Sequence, residues 1–82
     1  MLGWLLAHAS QDSTCKSYMT CFEATGGLKG SLDSTYGASG SCWSMTTQRA
    51  DECRKTCVDE LNALIRKFPD AGCGPLLHTG GC

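Results

Sequence analysis

An excess of charge of either sign is missing from this chain. Its 82 residues carry seven Lys and Arg against eight Asp and Glu, a formal net charge of −1. No basic stripe runs along it, so the electrostatic footprint of a nucleic-acid binder is absent, as is the polybasic patch of a membrane-surface protein. No apolar run approaches the ~20 residues that a membrane-spanning helix needs, and none is expected. The glycines match no phosphate-binding fingerprint. Paired Cys-x2-Cys knuckles of the zinc type are missing, and so is a thioredoxin-type Cys-x2-Cys. The two histidines, His8 and His78, stand far apart among small residues and read as solvated rather than as ligands. The carboxylates Glu23, Asp33, Asp51, Glu52, Asp59 and Glu60 form no pair that a fold argument brings together. Acid–base catalysis has no support, and neither a cofactor nor a metal is expected.

Cysteine, by contrast, is abundant: seven residues, at positions 15, 21, 42, 53, 57, 73 and 82. A chain this short has room for one small domain, which buries only somewhat more than ~60 % of its unfolded surface and is marginal without cross-links. Cysteine at this density reads as a disulfide scaffold, and therefore as an oxidising compartment. Each bridge contributes roughly 2–4 kcal/mol, so three rival the net stability of a small domain. The disulfide candidates are Cys15, Cys21, Cys42, Cys53, Cys57 and Cys73. Cys82 is the odd thiol, a candidate for an intermolecular bond and hence for a dimer.

Two stretches tempt a catalytic or metal reading. The first is "SGSCWS", residues 39–44, since Gly-Ser-Cys-Trp surrounds the nucleophile of papain-like proteases. The pattern wants a cysteine where this chain has Ser39, and its His and Asn partners are expected ~130–150 residues downstream, farther than this sequence runs. Cys42 is therefore expected in a disulfide. The second is Cys53-x3-Cys57. Two cysteines four apart on a helix face the same way, and could chelate zinc or form two rungs of a disulfide ladder; the ladder is preferred.

Periodicity supplies two helices. From Ala50 at ~100° per residue, Ala50, Cys53, Cys57, Val58, Leu61, Leu64, Ile65 and Phe68 fall within an arc of about 140°. Asn62 and the charged residues take the other side, and Arg54, the exception inside the arc, is expected to snorkel outward. Ser44, Thr46 or Thr47 can cap this helix and Pro69 stops it. A shorter helix is expected over Ser13–Thr25, capped by Asp12 or Ser13 and ended by Gly26-Gly27. Between them, residues 26–43 form a long glycine-rich loop, pinned by Leu28, Leu32, Tyr36, Trp43 and a bridge at Cys42. Tyr36 and Trp43 are also candidates for a recognition patch, although in a small core such residues more often fill space.

The fold expected is all-α: a small disulfide-stapled antiparallel helical hairpin with a long Gly-rich connecting loop. Residues 1–12 form an N-terminal segment. Its Leu2–Ala7 run and Ala7-His8-Ala9 read as the remnant of a secretory signal; the alternative is that Trp4 and Leu5 pack on the domain. Residues 13–75 form the stapled helical domain and 76–82 a flexible tail. A nested hairpin would pair Cys21 with Cys53 and Cys15 with Cys57. That strands Cys42 and Cys73 at opposite ends of a helix rising ~1.5 Å per residue. The preferred ladder is shifted by one rung: Cys42–Cys53, Cys21–Cys57 and Cys15–Cys73.

With Cys15-x2-Tyr18-x2-Cys21, Tyr36-Gly37-x2-Gly40-x-Cys42-Trp43, Cys53-x3-Cys57 and Pro69 before Cys73, the chain resembles the small cysteine-rich exported proteins and lipoproteins of myxobacteria and related deltaproteobacteria. The resemblance spans Cys15 to Cys73. It implies export and a disulfide-bonded helical module, and it transfers no activity and no functional residues. The small-residue lipobox of the lipoprotein members does not precede Cys15. The function expected is that of a non-enzymatic extracytoplasmic binding or structural module, secreted or in the bacterial envelope, whose partner is a protein or envelope component. Two rivals stand beside it: a secreted effector such as a toxin, signal or antimicrobial peptide, and a carrier of a lipid or small apolar ligand.

Overall fold

The computed structural model describes residues 11–77. The signal-remnant reading of the N-terminus, both histidines and Cys82 therefore lie outside the described residues. Everything described is helix or irregular chain, with no strand among the described residues. Helix α1 spans Ser13–Ala24, α2 Asp33–Tyr36, α3 Ser41–Ser44 and α4 Thr47–Lys67, followed by a 3₁₀ turn over Pro69–Ala71.

The long helices begin and end where side-chain chemistry dictates. The Asp12 carboxylate accepts from the Thr14 N–H at 2.8 Å, and the Thr46 hydroxyl accepts from the Arg49 N–H at 3.0 Å. Each satisfies a backbone donor that the first helical turn leaves open. At the end of α1, Gly26 takes φ +105°. Its N–H donates to the Glu23 carbonyl while the Gly27 N–H donates to the Phe22 carbonyl at 2.7 Å, which is the Schellman arrangement. Gly27 lacks a side chain for a different reason, because a Cβ there would run into the Phe22 ring and the Phe22 carbonyl oxygen. Pro69 stops α4, whose last turn carries Arg66 and Lys67, cations that suit the negative end of the helix dipole.

Three disulfides cross-link these elements: Cys15–Cys57, Cys21–Cys73 and Cys42–Cys53. Cys42–Cys53 is the pairing expected. The other two correct the shifted ladder, since Cys15 joins Cys57 rather than Cys73, and Cys21 joins Cys73 rather than Cys57. The links do not nest as those of an antiparallel hairpin would. Advancing along α1 from Cys15 to Cys21 moves the partner forward, from Cys57 to Cys73 beyond the end of α4.

The reason lies in the connection, residues 25–46. Expected as a long packed loop, it folds into α2 and α3 and carries the chain back to the start of α1. There the Tyr36 carbonyl accepts from Gln11 Nε2 at 2.9 Å and from Trp43 Nε1 at 3.2 Å. Leu28, expected to help pin this segment, is 78 % exposed; Leu32, Tyr36 and Trp43 pack on the core instead.

That core is largely sulfur. Its buried apolar members are Cys15, Cys21, Cys42, Cys53 and Cys57, joined by Tyr18, Trp43, Val58 and Leu61. Cystines thus occupy the positions that aliphatic side chains fill in larger domains. The apolar arc of α4 is found inside as read, with Ala50, Leu64 and Ile65 partly buried around it. Asn62, assigned to the outer face, is buried. Arg54 is exposed and ion-paired with Asp51, one turn earlier.

Candidate functional site

Cys42 lies at the second position of α3, a single helical turn after Gly40, and is completely buried in its bond to Cys53. The "SGSCWS" stretch therefore presents no thiolate, and the nucleophile that a papain-like reaction requires is held as a cystine. Cys53 and Cys57 do lie on one face of α4, as their spacing requires. They reach different partners, Cys42 and Cys15, on different elements. Among the described residues no cluster of three or more His, Cys, Asp or Glu side chains is arranged to hold a metal ion.

The two aromatics singled out as a recognition patch are built into the frame. Trp43 is 4 % exposed, with its indole N–H spent on the Tyr36 carbonyl. The Tyr36 ring stands edge-on to Tyr18, with centroids 5.7 Å apart, and Tyr18 in turn meets Phe22 edge-on at 6.1 Å. This aromatic row ties α2 to α1. Burial, with Glu60 and Tyr36 nearby, holds the Tyr18 phenol above its ordinary pKa, so it stays neutral and hydrogen-bearing.

On the outer face of α4, Arg54 and then Lys55 hydrogen-bond the Asp51 carboxylate and hold it below the usual carboxylate range. The pair is exposed and solvent-screened, and reads as helix decoration rather than chemistry.

Two features were not singled out in the sequence. The first is an amide clasp. Asn62 Nδ2 donates to the Leu77 carbonyl and Asn62 Oδ1 accepts from the Leu77 N–H, both at 2.7 Å. One side chain thus completes the backbone pairing of a residue fifteen positions on, as a strand neighbour would. Nothing local announces this; the only available hint was an Asn within three residues of Leu61 and Leu64 on a helix whose neighbours are apolar.

The second is a cleft of about 370 Å³ between α1 and the chain after α4. Lys16, Ser17, Thr20 and Ala24 form one wall, Gly72 and Cys73 the other, and the Cys21–Cys73 bridge spans it. The cleft is open and its α1 wall is polar, with the Thr20 hydroxyl turned back onto the Lys16 carbonyl at 3.1 Å. Its chemistry is that of a partly exposed cystine in a cleft that Lys16 also lines.

What these elements define is a small all-helical module with three disulfides and, among the described residues, no helix long and apolar enough to cross a membrane. Compared with known proteins, the chain matches no family model, and no curated protein or solved structure is significantly similar to it.

Proposed function

We propose that this chain is a non-enzymatic module that works outside the cytoplasm, in the envelope or the secreted milieu, where it binds a protein or envelope component or braces a larger assembly. The observation that carries the reading is the core itself: all six described cysteines are in disulfides, five of them buried where an apolar core would be. A cytosol that keeps thiols reduced would leave such a chain without its framework. The resemblance to small exported cysteine-rich proteins of myxobacteria and their relatives points the same way.

The test is fractionation of the full-length protein from the organism that encodes it, followed by thiol alkylation with and without reduction and intact-mass measurement. Recovery outside the cytoplasm, with six cysteines reacting only after reduction, supports the proposal. Recovery in the cytoplasm with those thiols reacting at once overturns it. Two companion assays separate the rivals. Growth inhibition or permeabilisation by the pure protein would make it an effector. An apolar ligand retained in native mass spectrometry would make it a carrier.

A further inference from the structure

The three disulfides are not equivalent in what can reach them. Cys15, Cys42 and Cys57 are fully buried, and Cys53 and Cys21 are 3 % and 2 % exposed. Cys73 alone among the described cysteines is partly exposed, and it opens onto the cleft. Two of the bridges thus join residues buried on both sides, and one joins buried Cys21 to the partly exposed Cys73.

Reaction at a disulfide needs a thiolate in line with the sulfur it attacks, so access decides which bond exchanges. The cleft that borders Cys73 has room for a cysteine-sized group, and Lys16 on its wall supplies positive charge toward an incoming thiolate. The bond's position matters as well. Cys15–Cys57 joins the two long helices through the core, and Cys42–Cys53 joins α3 to α4. Cys21–Cys73 ties α1 to the chain that follows α4, which is also held by the 3₁₀ turn at Pro69–Ala71, the Asn62–Leu77 clasp and the packing of Leu77 on the core.

From this geometry we propose that Cys21–Cys73 is a thiol-exchange site, the one bridge that opens to an external thiol while the other two keep the helices folded. In the first step the thiolate attacks Cys73 Sγ. A mixed disulfide forms there, the Cys21–Cys73 bond breaks, and Cys21 Sγ leaves as a thiolate that takes a proton from water. In the second step another thiolate, from the same dithiol or a second equivalent, attacks the outer sulfur of the mixed disulfide. Cys73 is released as a thiolate and the external pair leaves as its own disulfide. The two electrons lost by the external thiols reside on Cys21 and Cys73. The consequence is a released segment after α4, and a cleft with its second wall withdrawn.

The experiment is graded reduction of the full oxidised chain. Any thiol already free is capped with iodoacetamide, dithiothreitol is added for timed intervals at neutral pH, and new thiols are trapped with N-ethylmaleimide for peptide mapping. Cys21 and Cys73 are expected to be trapped at least about tenfold faster than Cys15, Cys42, Cys53 and Cys57, as access-limited exchange requires. Helical ellipticity at 222 nm should persist through that phase. Simultaneous opening of all six, or earlier opening of either other bridge, overturns the proposal. A double variant, Cys21→Ala with Cys73→Ala, gives an independent reading. It should keep its helix content and leave the remaining four cysteines protected at the same dithiothreitol concentration, and collapse of that protection would count against the proposal. Failure of the export reading looks different, since the six thiols would then react before any reductant is added.

Discussion

At the scale of single residues, Asn62 concentrates the most consequence in one side chain. Its amide serves a backbone N–H and a backbone carbonyl of Leu77 at once, from a buried position. Asn62→Ala leaves both groups to find water or go unpaired, at a cost of about 1–3 kcal/mol. The denaturant midpoint should fall accordingly, and the Leu77 amide should lose its protection from hydrogen exchange. Asn62→Asp keeps an acceptor for the Leu77 N–H but removes the donor to the carbonyl, so it should recover only the N–H half of the clasp. Tyr18 offers a different test. Its phenol is held neutral by burial first and by Glu60 next. A pKa raised on folding makes a contribution to stability that is complete below the unfolded value, near 10, and lost as pH rises through the folded value. Absorbance titration at 295 nm of a Tyr36→Phe chain should show the remaining tyrosine ionising above the ordinary tyrosine value, near 10. A transition at or below that value would contradict the buried setting.

At the scale of elements, the caps are the testable units. Thr46→Ala removes the acceptor for the Arg49 N–H at the head of the longest helix, and should cost about 1 kcal/mol, read as a lower thermal midpoint. Gly27→Ala should cost more, about 1–3 kcal/mol, because both the Phe22 ring and a fixed backbone oxygen stand where the methyl would go. These elements were the most legible part of the sequence, and for local reasons. Asp12, Thr46, Gly26-Gly27 and Pro69 act within a few residues of themselves, so their meaning can be read without the fold. The apolar arc of α4 was legible on the same terms. Asn62 was not, because what reverses its polarity is a tail residue fifteen positions on. The pairing of Cys15 and Cys21 escaped for a related reason. It depends on where residues 25–46 deliver the chain, which is settled by the hydrogen bonds of Gln11 and Trp43 to one carbonyl of α2. Cys42–Cys53 needed no such knowledge, since its partners flank the head of one helix. The cleft was illegible altogether, being formed by two segments far apart in sequence that the Cys21–Cys73 bond joins.

At the scale of the whole molecule, the balance is between a small apolar core and three covalent links. Replacing Cys15 and Cys57 by Ala removes the bridge between the long helices from the centre of the core. It should destabilise the chain by about 2–5 kcal/mol, most of what a domain this size holds in reserve. Calorimetry of this double variant beside the Cys21→Ala/Cys73→Ala one would rank the bridges, and the first should be the more damaging. The helices are not expected to hold their packing once all three bonds are reduced, since the residues that would form the core are mostly the cysteines themselves.

The unequal spans of those bonds also set an order of events during synthesis. Cys42–Cys53 closes a separation of 11 residues, against 42 for Cys15–Cys57 and 52 for Cys21–Cys73. Loop-closure entropy alone makes the widest loop about 1.4 kcal/mol harder to close than the narrowest. A nascent chain meeting an oxidant should therefore secure α3 against the head of α4 before α1 has found its place. With Cys53 already occupied, the nested partner for Cys21 is withdrawn from competition, and the choice that remains is which of Cys15 and Cys21 takes Cys57. The shortest bond thus narrows the field for the other two without choosing between them. Acid-trapped refolding intermediates should carry Cys42–Cys53 first, and a Cys42→Ser chain should accumulate mispaired isomers that use Cys53.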